Sequence, residues 1–200
     1  MSERLDVAGV TFSGQDWGGR SLAGDRFIDC SFTSCDLSET TTAGVTFERC
    51  QLIDVRLNAS RHEGTAFVGC RLQGCSLFDA ELRGCKLVGS HFTGCTLRPL
   101  LVRGGNWSFV SLRGADLRGV DVRDVSLVEA DLSHADLGDA RFTGCDLSRA
   151  ELAVTRLDGA DLRGSALHGV DPSGPRWKGA RLDLAQAVTV TQALGAVVDT

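Results

Sequence analysis

Eight cysteines, four histidines and 26 acidic residues are the side chains in this 200-residue sequence that could do chemistry. Thiols clustered with histidines would suggest a zinc site or a nucleophilic thiol. Paired carboxylates beside a histidine would suggest acid–base work. The spacing supports neither. No Cys-x-x-Cys pair occurs, and His62, His91, His134 and His168 are scattered with no nucleophile signature around them. The chain reads as a non-enzyme that needs no metal and no cofactor. The cysteines share a different regularity. Cys30, Cys35, Cys50, Cys70, Cys75, Cys85, Cys95 and Cys145 each stand two residues before a member of one five-residue series.

That series begins at Val7 and runs Phe12, Trp17, Leu22, Phe27, Phe32 and Leu37, without a slip, to Trp177 and Leu182. Only Thr42, His62 and Pro172 interrupt its large apolar residues. A small residue, often Cys or Ala, precedes each centre by two, and Gly or a polar residue follows it by two. No helix or flat strand has this period. A helix turns about 100° per residue, so a five-residue stripe drifts around it. A strand alternates with period two, so an odd period would send every second apolar residue outward. The chain must turn a corner every five residues and point the same two positions inward each time. Glycine after the centre suits the corner, and the small inward residue lets a narrow tube close. On this reading the cysteines are buried small side chains rather than ligands.

Copies such as Ala115-Asp116-Leu117-Arg118-Gly119 and Ala160-Asp161-Leu162-Arg163-Gly164 resemble the pentapeptide-repeat proteins. The resemblance implies an all-β fold, a right-handed quadrilateral β-helix of about nine coils, over residues 1–182. Residues 20 apart then stack one coil on the next, so that Cys30, Cys50 and Cys70 form one column and Cys75 lies below Cys95. Thr42 lies beneath His62. These two polar residues in inward positions predict either an opened corner of the coil or a hydrogen-bonded polar pocket.

The period stops at Leu182. From Asp183 to Gly195 the pattern reads as a short capping helix, with Asp183 as N-cap and Gly195 just past the end. Residues 183–200 form a cap and dimerisation tail, in which Leu184, Val188, Leu194, Val197 and Val198 are the expected interface. The formal net charge of −5 lies wholly within residues 116–146. The acids there are Asp116, Asp121, Asp124, Glu129, Asp131, Asp136, Asp139 and Asp146, and Glu151 and Asp171 extend the Asp131 column. They are read as one candidate acidic binding band. A mildly acidic chain gives no reason to expect direct nucleic-acid binding.

The interruption Leu97-Arg98-Pro99-Leu100, the later Asp171-Pro172 with Trp177, and the ending Gly179-Ala180-Arg181-Leu182-Asp183 with Gln186-Ala187-Val188 resemble the MfpA-type and Qnr-type fluoroquinolone-resistance proteins. That resemblance implies a dimer joined at the C-terminus that mimics DNA and binds DNA gyrase, protecting it from quinolone-type poisons. The alternative is a structural or scaffolding repeat protein with no topoisomerase partner. The start of the chain has neither a basic region nor an apolar core of a signal peptide, and no stretch is long and apolar enough for a membrane helix. A cytoplasmic protein with reduced thiols and no functional disulfide is therefore expected.

Overall fold

The computed structural model describes residues 4–198, and nearly all of them form a four-sided parallel β-helix. Every backbone pairing joins residues 20 apart. Four pentads therefore make one coil, and four faces run along the tube. The first face is centred on Phe27, Phe47 and Phe67, and the second on Phe32, Leu52 and Leu72. The third is centred on Leu37, Leu57 and Leu77, and the fourth on Leu22, Thr42, His62 and Leu82.

The expectation of nine coils needs qualification. On the fourth face seven strands stack in parallel: Ser21–Ala23, Thr41–Ala43, Arg61–Glu63, Ala80–Lys86, Leu100–Asn106, Asp121–Arg123 and Arg141–Thr143. Only isolated bridges, Arg141 to Asp161 and Asp161 to Arg181, continue the ladder. Extended strand thus makes about seven turns, and the C-terminal coils are built from tight turns. The small inward residue tracks this change. Ala80, Ala115, Ala130, Ala135, Ala140, Ala150, Ala160 and Ala180 each donate their N–H to the carbonyl three residues back, closing a turn. None of the eight cysteines does so among the described residues. They sit at open bends, where the thiol reaches a carbonyl of the coil below. Cys50 Sγ donates to Phe27 O at 3.2 Å and Cys70 Sγ to Phe47 O at 3.3 Å.

The core is a set of columns. Phe27, Phe47 and Phe67 stack with ring centroids 5.1 and 4.8 Å apart. Ser90, Thr155 and Ser165 do as the cysteines do, donating to the buried carbonyls of Phe67, Leu132 and Phe142. A hydroxyl or thiol in the inward small class is therefore satisfied by the stacking itself. Helix α1 (Leu184–Ala193) closes the C-terminal end. Asp183 and Gln186 form a reciprocal capping box, and the Gln186 amide then enters the tube mouth, donating to Leu162 O at 2.5 Å and Ser165 O at 2.7 Å. Solenoid ends leave carbonyls bare, and this side chain covers two of them.

Candidate functional site

Thr42 and His62 do not open the coil. Their strands pair in register, and both side chains are buried in the tube. Thr42 Oγ1 lies 2.7 Å from His62 Nδ1 and 2.6 Å from Thr65 Oγ1, while Ser60 Oγ lies 2.9 Å from His62 Nε2. Ser60 spends its own proton on Leu57 O at 2.6 Å, so it accepts from Nε2–H. Nδ1 is then the acceptor, and one directed chain runs Thr65, Thr42, His62, Ser60, Leu57. The imidazole is neutral, and burial pushes its pKa down to about 4 from the usual 6.5. An unfolded chain would bind the proton at a higher pH than the folded one, so this group stabilises the fold fully above about pH 6.5. As pH falls through 4 that contribution is lost, about 3 kcal/mol in all. Urea titrations between pH 7 and 4 should show the loss, and Thr42→Val with His62→Leu should flatten the profile. An unchanged slope in the double variant would refute the assignment.

The acidic stretch does not form one surface. Asp116 and Asp136 bridge on the third face, and Asp121 lies on the fourth. Asp131 bridges to Glu151 on the second face, and Asp146 bridges to Ser126 on the first. Asp124, Glu129 and Asp139 occupy corners, with φ of 58°, 56° and 54°. A run of 31 residues is longer than one 20-residue coil, so acids contiguous in sequence must ring the tube. The Asp131–Glu151 bridge has no continuation to Asp171. There Val154 N bonds Gly174 O, one residue beyond the register seen at His134 N to Ala153 O.

Arginines neutralise half of the band. Asp116 lies 2.7 Å from both Arg98 and Arg118, and the Arg118 hydrogen bonds hold its carboxyl down at about 2. Asp121 is pushed up by burial but pulled further down by Arg123 and Arg103. Glu129 pairs with Arg149, and Asp136 with Arg156. The third and fourth faces are laced with such pairs throughout, among them Arg56–Asp36 and Arg163–Asp161. The second face has no ion pair among the described residues. On it Asp131 Oδ1 accepts from Ser133 N and Oγ, and Glu151 Oε1 accepts from Ala153 N. These bonds fix each carboxylate, and no arginine pairs with either among the described residues.

Two features at the edges of this face escape a reading based on charge. Phe109 and Val154 occupy corner positions with φ of 60° and 59°, and they are 54% and 61% exposed. A bulky or β-branched residue is strained in that conformation, and here the strain holds an apolar side chain in water. The signal was legible, since Phe109 is a phenylalanine outside the five-residue series at a place where Gly, Asp or Glu is usual.

Of the tail residues, Leu184 and Val197 are 82% and 87% exposed, Leu194 is also exposed, and Val188 and Val198 are half-buried. No helix among the described residues is long and apolar enough to cross a membrane.

Two family models match the chain. One for a pentapeptide repeat region covers residues 25–122, and one for pentapeptide repeats in eight copies covers 108–144 and 135–171. The chain belongs to the pentapeptide-repeat family. Among curated proteins none matches it in sequence. Solved pentapeptide-repeat structures do share its fold. Two trypsin-treated forms of QnrB1, described as a plasmid-mediated fluoroquinolone resistance protein, superpose with TM-scores of 0.67 and 0.71 at 24% and 21% identity, each over 98% of both chains. Full-length QnrB1 superposes with a TM-score of 0.63 at 21% identity, over 96% of this chain and all of that one.

Proposed function

We propose that this pentapeptide-repeat protein binds DNA gyrase in place of DNA and protects it from quinolone-type poisons, acting as a homodimer joined at its C-terminal ends. The observation that carries the reading is the likeness in fold to QnrB1, end to end over 98% of each chain. The second face gives the proposal a location. Asp131 and Glu151 present fixed, unneutralised carboxylates one rung apart, about 4.8 Å. Each DNA strand presents a phosphate every ~3.4 Å along the axis. Phe109 and Val154 flank them as apolar anchors. A basic groove shaped for DNA is complementary to that charge. Asp124, Asp139 and Asp146 add unpaired charge around the same coils.

A purely structural role is the second reading. It is favoured by the arginine pairing of Asp116, Asp121, Glu129 and Asp136, which makes much of the acidic stretch an internal ionic lattice. Supercoiling by gyrase with added protein, with and without a fluoroquinolone, separates the two. The expected result is a change in supercoiling or in drug-stabilised cleavage that fades as salt rises, because screening shortens to about 8 Å near physiological ionic strength. No effect at any protein-to-gyrase ratio would leave only the structural reading.

The dimer is tested separately. Light scattering should give twice the 21.2 kDa chain mass. Leu184→Asp with Val197→Asp leaves the Gln186 plug intact and should give the monomer mass. An unchanged mass in that variant would move the interface elsewhere.

A further inference from the structure

A crack opens in the tube beside Cys95. On the third face, bridges join Ser76 to Thr96 and Asp116 to Asp136, but none joins Thr96 to Asp116. The hydrogen bonds that the repeat would supply there, from Gly94, Leu97 and Asp116 N–H groups, are absent among the described residues. Pro99 has no N–H to offer, and Asp79 N bonds Pro99 O, one residue past the usual register. The Arg98–Asp116 ion pair spans the break instead. A cavity of about 300 Å³ opens between the two coils, lined in part by Gly94, Cys95, Leu97, Arg113 and Asp116.

Cys95 is the single half-buried cysteine of the eight; the other seven are buried. One rung below it stands Cys75, joined by the bond from Thr96 N to Cys75 O at 2.9 Å. Stacked parallel strands lie about 4.8 Å apart, inside the ~4.4–6.8 Å between Cα atoms that a disulfide spans. Arg113, in no ion pair among the described residues, also lines the cavity and favours an anion there. The Cys75 thiol donates to Leu52 O at 3.3 Å and the Cys95 thiol to Leu72 O at 3.4 Å, so the two sulfurs point into the tube in the same sense, one rung apart. Cys50 and Cys70 stack in the same way, but both are buried.

We propose that Cys95 and Cys75 form a redox-active thiol pair, in which hydroperoxides reach Cys95 through the crack and Cys75 resolves the product as a disulfide between coils. The Cys95 thiolate attacks one peroxide oxygen. An S–O bond forms, the O–O bond breaks, and the departing hydroxide or alkoxide takes a proton to leave as water or alcohol. The Cys75 sulfur then attacks the Cys95 sulfenic acid, the S–S bond forms, and the S–O bond breaks with loss of water. Two thiols are oxidised by two electrons and one hydroperoxide is reduced. This pair is independent of any gyrase contact.

The test uses the full chain, folded by circular dichroism, treated with hydrogen peroxide and then alkylated and mapped by mass spectrometry. A linked Cys75–Cys95 peptide should form about tenfold faster than any change at Cys30, Cys50 or Cys70. Cys75→Ser should accumulate a Cys95 sulfenic acid that dimedone traps, and Cys95→Ser should leave Cys75 reduced. Equal reactivity at the buried cysteines would overturn the proposal. So would Cys95 oxidation in the unmodified chain that never links to Cys75.

Discussion

Gly105→Ala should unfold the tube or cost it about 3 kcal/mol or more in urea titrations, while Gly84→Asn should cost about 1 kcal/mol. The two glycines occupy different places in the repeat, Gly84 two residues after Leu82 and Gly105 two residues before Trp107. Gly84 is a corner, with φ of 61° and nothing within 4 Å of an added Cβ. Fourteen other corners already carry non-glycine residues at positive φ, so this conformation alone is affordable. Gly105 is an inward position, with φ of 106°, and an added Cβ would lie 2.1 Å from Cys85 O and 2.9 Å from Cys85 N. Those are backbone atoms of the neighbouring rung, paired with Gly105 in the strand ladder. They cannot rotate away as a side chain would, so the two coils would have to separate. A Gly105→Ala protein with parental stability would show that the coils can part there at little cost.

The second expected result concerns the second face. Asp131→Asn with Glu151→Gln should fold as the parent does, because each amide keeps an oxygen to accept from Ser133 N or Ala153 N. It should bind gyrase about tenfold or more weakly, as loss of closely matched charge does elsewhere, and its salt dependence should flatten. Asp136→Asn is the control. That residue lies on the third face, pairs with Arg156, and should leave binding unchanged. A double variant that protects gyrase as well as the parent would remove the second face from the contact. A loss caused by Asp136→Asn alone would transfer the contact to the third face.

Sequence alone determined the period, and the period determined most of the architecture. An apolar residue every fifth position can be buried only by a chain that turns a corner each time, so the cysteines had to face inward, while the resemblance to pentapeptide-repeat proteins implied the four sides that stack Phe27, Phe47 and Phe67. The N-cap at Asp183 was equally legible, being local, although its reciprocal bond with Gln186 was not read. Tertiary structure decided what depends on which face a residue joins. Asp131 and Asp136 are five residues apart, yet one is unpaired and the other is tied to Arg156, 20 residues on. A linear sum of charge sees eight acids in one band, whereas winding distributes them around four sides and places arginines beside half of them. At His62 the sequence left two readings, an opened corner and a hydrogen-bonded polar pocket. The stacking of Thr42 beneath it, with Ser60 and Thr65 in the adjoining inward small positions, supplies the hydrogen bonds that let a neutral imidazole replace a leucine. The crack beside Cys95 has the same origin: it arises where two coils fail to meet, and no single pentad records its neighbour's register.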